Sequence, residues 1–447
     1  MPSPRPILAD RLAPFGTTIF TEMTLLANKH GAINLAQGFP DFDGPDFIKH
    51  AAIKAISTVA PGHNQYARMS GVPALNAAIA EGWNTRTGQS INPDTQVTVT
   101  SGCTEAICAA MLALLNPGDE IILFEPFYDS YRASVAMAGA TPRFVTLHAP
   151  GSGYHHAPRG EAANEQSPGQ SPREAGPYPA RCTPLSGEGQ FWFDPKALAA
   201  AFTPRTRAIL VNTPHNPTGK VFTRDELSLI ADLCIRHDAI AITDEVYEHL
   251  TYDPLLPHTP LATLPGMADR TLSLSSLGKS FSLTGWKVGW AIGSPELSAA
   301  LRSAHQFINF STATPLQHGA AAAASLSPQS RNAIATLRAD LATARTFLGE
   351  TLQECGFRVF LPAGAYFILA DWTRVARLSE PGLSISDDLT FCKYLTTEVG
   401  VAAIPPSVFY ENKHHGRPLA RFAFCKQMST LEEAARRLRA WAKEPLA

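Results

Sequence analysis

The sequence predicts an α/β fold in which a mostly parallel sheet is covered by helices on both faces. Short, continuously apolar strand-like runs alternate with helical stretches between Gln96 and Gly293. Strands that are apolar throughout are typical of parallel sheets buried on both sides, and the alternation is typical of βαβ units. After about Ser294 helical segments dominate, which indicates a second, smaller α+β domain.

The first part of the chain predicts six strands and three helices. Thr223 and Glu226 match a capping box, which marks the start of the third helix. The predicted strands are Gln96–Gly102, Glu120–Pro126, Arg207–Pro214, Ala239–Glu245, Thr271–Ser276 and Gly289–Gly293. The predicted helices are Thr104–Asp119, which Asn-Pro-Gly closes, Asp129–Gly139 and Thr223–His237.

The second part predicts short strands and a final helix. Ser429 is the predicted N-cap of that helix, and Glu432 completes a capping box. The elements are the strands Phe357–Pro362, Ala365–Asp371 and Ala420–Lys426 and the helix Ser429–Glu444. We expect residues 1–50 to form an N-terminal arm packed with the small domain, 51–305 the large domain and 306–447 the small domain.

The segment Ala149–Gln190 fits neither domain. It is rich in Gly, Pro, Ser and charged residues, so it cannot bury much apolar surface. We therefore predict a mobile surface loop. The pair His155-His156 within it has no carboxylate or thiol at ligand spacing, so we predict no metal site there.

Composition narrows the class of protein. The chain has 447 residues, 45% of them hydrophobic, and a formal net charge of -2, which suits an enzyme-sized globular protein. The balance of charge predicts neither nucleic-acid binding nor attachment to an acidic membrane. No apolar run is long enough for a transmembrane helix, and no signal peptide is evident. The seven cysteines are scattered singly, which favours reduced thiols in the cytoplasm.

Polar side chains gather at the predicted carboxyl ends of strands, where open α/β sheets bind their ligands. Lys279 is unusual among them, because the stretch "SLSSLGKSFSLTGWKVGW" surrounds it with small residues and contains no acidic residue. A solvated lysine usually sits among Glu and Asp. The other strand-end residues are Gly102, Cys103, Thr104, Tyr128, Asn216, Asp244, Tyr247 and Ser276.

This set of groups matches the needs of pyridoxal 5'-phosphate. The cofactor uses a lysine amine for covalent attachment and a carboxylate to pair with its pyridinium nitrogen. Its phosphate requires a helix N-terminus, hydroxyls and a cation. An aromatic face and hydrogen-bond donors for the ring oxygen complete the set, and the sequence can supply each part.

The chain resembles the class I/II pyridoxal-phosphate-dependent aminotransferases of fold type I, and within them the kynurenine/glutamine/methionine aminotransferase group. The matching stretches recur in the family's order and span most of the chain, although Ala149–Gln190 is much longer than the usual connection. They are "INLAQGFPDF", "NQYARMSGVPAL", "VTSGCTEAI", "EPFYDSY", "NTPHNPTGKVF", "DEVYEHL", "SLGKSFSLTGWKVGW", "VAAIPPSVFY" and "RFAFCK". The resemblance implies a large domain with a seven-stranded sheet and a homodimer with shared active sites.

The resemblance also implies a role for each matched residue. Lys279 would hold the cofactor covalently and act as general acid/base, and Asp244 would keep the pyridine nitrogen protonated. Tyr247 and Asn216 would donate to the ring oxygen, and Tyr128 would stack on the ring. The phosphate would be held by Ser276, Lys287, the backbone of Cys103 and Thr104, and Tyr66 from the neighbouring subunit.

For the substrate, the resemblance implies an α-carboxylate clamp and an aromatic pocket. Arg421 would bind the α-carboxylate as a bidentate fork, helped by the backbone near Gly38. Phe20, and Phe310 from the neighbour, match positions that line the side-chain pocket. Structural alternatives remain for four residues: Phe127 could take the stacking role of Tyr128, Arg421 could be a surface strand residue, and Phe20 and Phe310 could be core.

Three functions are compatible with these residues. The first is transamination between a 2-oxo acid and an L-amino acid with a neutral or aromatic side chain, such as kynurenine, methionine, glutamine or phenylalanine, because no second arginine is seen in the matched pocket segments. An N-succinyldiaminopimelate substrate is an alternative. The second is β-elimination from cysteine S-conjugates. The third, a pyridoxal-phosphate-binding regulatory module, is disfavoured because the resemblance starts within the first few tens of residues.

Overall fold

The structure is a computed structural model, and it describes residues 7–58, 62–151, 189–379 and 385–443. Its largest sheet has seven strands in the order β2-β8-β7-β6-β5-β3-β4, and β8 alone runs antiparallel to its neighbours. The strands of this sheet are β2 Val97–Thr100, β3 Glu120–Glu125, β4 Thr141–Thr146, β5 Thr206–Asn212, β6 Ile240–Asp244, β7 Thr271–Ser276 and β8 Gly289–Ile292. The predicted mostly parallel sheet is confirmed.

Two further sheets involve the last third of the chain. β10 Phe367–Asp371 pairs antiparallel with β9 Arg358–Phe360 and with β12 Leu419–Ala423. β1 Ile33–Asn34 pairs in parallel with β11 Val401–Ala402, so an early segment joins a late one.

Helices flank the sheets along the whole chain. They are α1 Ile19–His30, α2 Asp46–Ser57, α3 Pro73–Thr87, α4 Cys103–Leu114, α5 Asp129–Ala138, α6 Pro195–Ala201, α7 Arg224–Arg236, α8 Leu277–Ser280, α9 Pro295–Ile308, α10 Thr314–Ala324, α11 Pro328–Glu354, α12 Asp388–Tyr394 and α13 Met428–Lys443. In the described ranges, no helix is both long and apolar enough to span a membrane.

Strand β3 shows how the core covers both faces of the sheet. Ile121 and Leu123 belong to one buried apolar cluster with residues of α4, whereas Ile122 and Phe124 belong to another with residues of α7. This alternation follows from the two-residue period of a strand. The first cluster also contains residues of α11 and β12, so one apolar core extends across residue 305. The domain boundaries predicted at residues 50 and 305 stay predictions.

Local sequence signals predicted one helix start correctly and another wrongly. The Thr223–Glu226 capping box is present at the start of α7, as predicted. The predicted N-cap Ser429 is wrong, because α13 already begins at Met428. Asp41, far away in sequence, accepts hydrogen bonds from the Gln427 backbone N–H and the Thr430 hydroxyl and so sets the start of that helix.

Most of the predicted mobile loop, residues 152–188, lies outside the described residues, and so does the pair His155-His156. Its two flanks are close together, because His148 and Trp192 exchange two backbone hydrogen bonds of 2.7 and 3.1 Å.

We expect residues 152–188 to be dispensable. The backbone pairing of His148 with Trp192 holds the two flanks close enough for a short linker to join them. Replacing residues 152–188 with a Gly/Ser loop should leave the melting temperature nearly unchanged. The rate of the half-reaction with an amino donor should stay within about twofold of that of the unmodified protein. Thermal unfolding and stopped-flow absorbance would check both. Loss of folding or of the half-reaction would show that the segment is structural.

Candidate active site

A cavity of about 450 Å³ opens at the carboxyl ends of β5, β6 and β7. This is the edge of the sheet where parallel strands present their ends together. Thirteen residues that the sequence singled out line it: Phe20, Gly38, Gly102, Cys103, Thr104, Tyr128, Asn216, Asp244, Tyr247, Ser276, Lys279, Lys287 and Arg421.

Two predicted site residues lie outside this cavity. Tyr66 is 85% exposed and Phe310 is 49% exposed, and their rings pack perpendicular to each other with centroids 5.5 Å apart. The structure therefore does not bring them to the cavity of their own chain. It places them on an open surface, side by side.

Lys279 lies on the short helix α8, directly after β7. Its Nζ is 3.5 Å from the carbonyl oxygen of Gly38 and faces the rings of Tyr247 and Tyr366 at 5.8 and 5.6 Å from their centroids. Burial lowers the pKa of its amine, because a charged ammonium would lose its hydration there. The nearby Asp244 opposes this shift of the pKa. A partly buried amine with a lowered pKa suits a nucleophile and general base.

Asp244, the last residue of β6, is held on both carboxylate oxygens. The Tyr131 hydroxyl donates to Oδ2 at 2.6 Å, and the Val246 backbone N–H donates to Oδ1 at 3.3 Å. The Cys103 thiol is 3.5 Å from Oδ1. Burial raises the pKa of Asp244, while these donors and Lys279 work against that rise. The carboxylate is therefore fixed in orientation and suited to pair with a cation.

An anion cradle, which we define as Gly102–Thr104 with Ser276 and Lys287, forms one end of the cavity. The first N–H groups of α4 have no carbonyl partner within their own helix, so they can bind an anion. Gly289 is needed for this packing, because a Cβ there would lie 2.6 Å from the Gly102 carbonyl carbon. Lys287 adopts a left-handed φ of 54° and directs its Nζ alongside Gly102.

Arg421 lies at the opposite end of the cavity and is 1% exposed, so the surface alternative is ruled out. Its Nη2 donates to the Ala36 carbonyl at 2.8 Å, and its Nη1 donates to Asn216 Oδ1 at 3.1 Å. Nε is buried and has no hydrogen-bond partner among the residues that the structure covers. Burial lowers the Arg421 pKa to about 10, so the guanidinium remains charged at neutral pH and has donors to spare for a carboxylate.

Aromatic rings form the remaining wall. Tyr128 lines the cavity, whereas Phe127 stacks on Phe144 in the core with centroids 5.3 Å apart. Burial raises the pKa of Tyr128 to about 12, so it stays a phenol. Phe20 also lines the cavity and stacks on Phe409 at 5.7 Å. Tyr128, and not Phe127, is thus the aromatic ring available to a ligand.

Sequence reasoning missed four residues that shape the site. Tyr131 donates to Asp244, and its spacing of three from Tyr128 on α5 was an available signal. The Asn212 side chain donates to the Asp244 carbonyl at 2.8 Å and accepts from the Asn216 backbone N–H at 2.7 Å. The Tyr366 hydroxyl donates to the Gly38 carbonyl at 2.6 Å, and Asp129 adds a carboxylate to the cavity.

This combination of a partly buried strand-end lysine, a fixed carboxylate, an anion cradle and an arginine clamp defines an amino-group-transferring enzyme of the α/β class. Residues 30–438 match the family described as aminotransferase class I and II. The chain belongs to this family, whose members depend on pyridoxal 5'-phosphate, and it is a pyridoxal-phosphate-dependent aminotransferase of fold type I.

Individual relatives are similar over nearly their whole length. A probable N-succinyldiaminopimelate aminotransferase of Mycobacterium tuberculosis is 41% identical, covering 98% of this chain and 99% of its own. A solved structure of N-succinyldiaminopimelate aminotransferase from that organism matches with a TM-score of 0.83 and 40% identity over 97% of this chain and 100% of its own. The kynurenine–oxoglutarate transaminase of Dictyostelium discoideum is 37% identical over 95% of this chain and 94% of its own.

The residues present fit pyridoxal 5'-phosphate. The buried Arg421 Nε has no partner among the described residues and is available to an acceptor. Gly289 lets the backbone of Gly102 and Cys103 pack closely at the start of α4, where the cradle lies, because a Cβ there would lie 2.6–2.8 Å from their atoms. The amine of Lys279 and the carboxylate of Asp244 lie between these two ends. A cofactor with a phosphate at one end and a carbonyl toward the substrate clamp matches this order of groups.

Proposed function

We propose that the enzyme transfers the amino group of an L-amino acid with a neutral or aromatic side chain to a 2-oxo acid. The charges of the cavity carry this proposal. Its cations in the described chain are Lys279, Lys287 and Arg421, and each has a task at the cofactor or the α-carboxylate. The acidic residues of the described lining are Asp244, which would pair with the cofactor, and Asp129. A carboxylate on the substrate side chain would therefore meet repulsion.

The cofactor would be held by the groups that line the cavity. The α4 N–H groups of Cys103 and Thr104, with Ser276 and Lys287, would bind its phosphate. Tyr128 would lie against the ring, and Tyr247 and the free amide nitrogen of Asn216 would donate to the ring oxygen. Gly38 shapes the substrate side, since a Cβ there would lie 2.6 Å from Phe367 Cζ.

When bound, pyridoxal 5'-phosphate supplies an electron sink that stabilises negative charge at the substrate Cα. Asp244 keeps a proton on the pyridine nitrogen through its fixed carboxylate. Arg421 orients the substrate by its α-carboxylate, which points the Cα–H bond toward Lys279. The Lys279 Nζ then removes the Cα proton, and its lowered pKa keeps the amine available as a base.

A second candidate substrate is an N-succinylated diaminopimelate, which the similarity to the Mycobacterium tuberculosis enzyme supports. A panel of donors against 2-oxoglutarate and pyruvate decides between them, with methionine, glutamine, phenylalanine, kynurenine and N-succinyl-LL-2,6-diaminopimelate as donors. We expect kcat/KM to be highest for a neutral donor. A clear preference for the succinylated donor would overturn the proposed side-chain class. Release of pyruvate from a cysteine S-conjugate would reveal β-elimination as a side activity.

Arg421→Lys should lower kcat/KM for every amino donor by a similar factor, equivalent to about 2–4 kcal/mol. Guanidinium matches a carboxylate with two parallel bonds, whereas an ammonium is a point charge. Steady-state kinetics with methionine, phenylalanine, glutamine and kynurenine measures the effect. The ranking of donors should be preserved, and 2-oxo acids should weaken too. A loss confined to one donor would move Arg421 into the side-chain pocket.

Asp129→Asn should raise kcat/KM for glutamate by roughly 1–2 kcal/mol, because a like charge near the substrate carboxylate is removed. Methionine, which has no side-chain charge, serves as the control donor and should change little. Burial raises the pKa of Asp129. The discrimination should therefore weaken in the unmodified enzyme as pH falls and Asp129 takes up a proton, but not in the variant. An unchanged glutamate rate would place Asp129 away from the side-chain path.

We also propose a homodimer that resides in the cytoplasm. Tyr66 and Phe310 lie outside their own cavity on an exposed, partly apolar surface, where they could reach the site of a neighbouring subunit. The six described cysteines are all free thiols, which suits a reducing compartment. Sedimentation equilibrium tests the dimer, and a monomer that transaminates normally would contradict shared sites.

A further inference from the structure

We propose that His305 is a positioning residue that links the anion cradle to the segment bearing Tyr66, and thereby couples cofactor binding to the part of the chain that serves the neighbouring subunit. The proposal rests on the proposed homodimer. We call residues Gln65–Val72 the arm, which is a different segment from the N-terminal arm of residues 1–50. His305 lies on α9 outside the cavity, so it touches neither cofactor nor substrate.

The His305 ring is fully buried, and both of its nitrogens face oxygen atoms of other segments. Nε2 is 3.0 Å from the Met69 carbonyl oxygen in the arm, and Nδ1 is 2.8 Å from Glu105 Oε1 on α4. Because a carbonyl oxygen only accepts, Nε2 carries a hydrogen. The ring is thus a bridge between two segments.

The Glu105 end of this bridge reaches the cradle. Glu105 Oε2 accepts the backbone N–H of Ser101 at 2.8 Å, and Ser101 precedes Gly102 at the start of α4. The Ser101 hydroxyl in turn contacts Thr312 at 3.2 Å and the Asn309 side-chain amide. A shift of Glu105 would therefore move the backbone that binds the phosphate.

The other connections of His305 reach the two exposed rings. Its own carbonyl oxygen accepts from the N–H groups of Asn309 and Phe310 at 3.1 and 3.3 Å, and Phe310 there adopts a left-handed φ of 63°. Phe310 lies edge-on against Tyr66. The arm is also tied by Thr314, whose hydroxyl donates to the Gln65 carbonyl at 2.6 Å. His305 is thus joined to cradle, arm and Phe310 at once.

A double-mutant cycle tests the coupling. The amide nitrogen of asparagine can occupy the place of Nδ1, and that of glutamine the place of Nε2. His305→Asn therefore keeps a bond toward Glu105 and breaks the bond to Met69, whereas His305→Gln keeps the bond to Met69. The readout is the dissociation constant of pyridoxal 5'-phosphate from each refilled apoenzyme, with and without Tyr66→Phe.

We expect Tyr66→Phe to weaken cofactor binding roughly five- to fiftyfold in the unmodified protein, but less than about threefold in His305→Asn and in His305→Gln, because each variant keeps only one end of the bridge. A structural residue would lower the melting temperature and leave the Tyr66 effect unchanged. Glu105→Ala cuts the bridge from the cradle side and should also abolish the Tyr66 effect, so it carries the test if His305→Asn does not fold.

Two outcomes overturn the proposal: an equal Tyr66 effect in all backgrounds, or no Tyr66 effect in any. Both leave the proposed transamination intact, because donor kinetics and the Lys279 linkage are measured separately. Failure of the chain to dimerise or to bind the cofactor would instead remove the proposed function itself. The two failures are therefore distinguishable.

Discussion

Lys279→Ala abolishes transamination, with an expected loss of at least about 10³-fold in turnover, because the variant lacks both the covalent attachment and the proton-transferring amine. In the unmodified protein, borohydride should fix the cofactor onto the peptide that contains Lys279. Visible absorbance and peptide mass spectrometry measure the two effects. Attachment to another lysine would refute the assignment.

Two controls separate chemistry from folding. Lys287→Ala should still be labelled at Lys279 by borohydride, although it binds the cofactor more weakly.

Burial lowers the Lys279 pKa from its ordinary 10.5, so below that pH the unfolded chain binds a proton more readily than the folded one. Lys279 thus lowers the free energy of unfolding of the cofactor-free protein at neutral pH. Cofactor-free Lys279→Ala should be at least as stable as the cofactor-free parent.

Asp244→Asn should reduce kcat/KM roughly 10²- to 5 × 10³-fold, equivalent to about 3–5 kcal/mol, while the cofactor stays bound. The amide matches the carboxylate in shape but cannot pair with a protonated pyridine nitrogen. Phosphate contacts and the Lys279 attachment are untouched, so retention of the cofactor is expected. Steady-state kinetics and cofactor content after dialysis measure both quantities.

Tyr131→Phe is the matched control for Asp244. It keeps the charge of Asp244 but removes the 2.6 Å hydrogen bond to Oδ2. Hydrogen bonds to charged groups contribute about 1.5–3 kcal/mol, so its loss of activity should be smaller than that of Asp244→Asn. Near-normal turnover in Asp244→Asn would eliminate the proposed electrostatic role.

The alternation of apolar runs was enough to predict the large sheet, because strands buried on both faces have no polar side. The order of the strands could not be predicted in the same way. β8 inserts antiparallel between β7 and β2, and only long-range pairing decides this. The prediction of the start of α13 failed for the same reason, since Asp41 binds the Gln427 N–H there from a distant part of the chain.

The strand-end rule brought together the cofactor side of the site from sequence. Asn216 follows β5, Asp244 ends β6, and Ser276 and Lys279 lie at the end of β7. The carboxyl ends of such parallel strands meet at one edge. Asn212 is itself the last residue of β5, so the same rule offered a signal for it. Tyr366 carries no such signal, because it acts on the Gly38 carbonyl that folding brings near.

The parallel pairing of β1 with β11 has a consequence for biosynthesis. Ile33 and Asn34 meet Val401 and Ala402, and Ala36 accepts from Arg421, so the substrate side of the site joins the beginning of the chain to its end. The seven-stranded sheet, in contrast, is complete once Ile292 has been made. On the ribosome the phosphate side can assemble while synthesis continues, but the clamp for the α-carboxylate cannot. A nascent chain therefore cannot clamp the α-carboxylate of an amino acid until its last segments have been made.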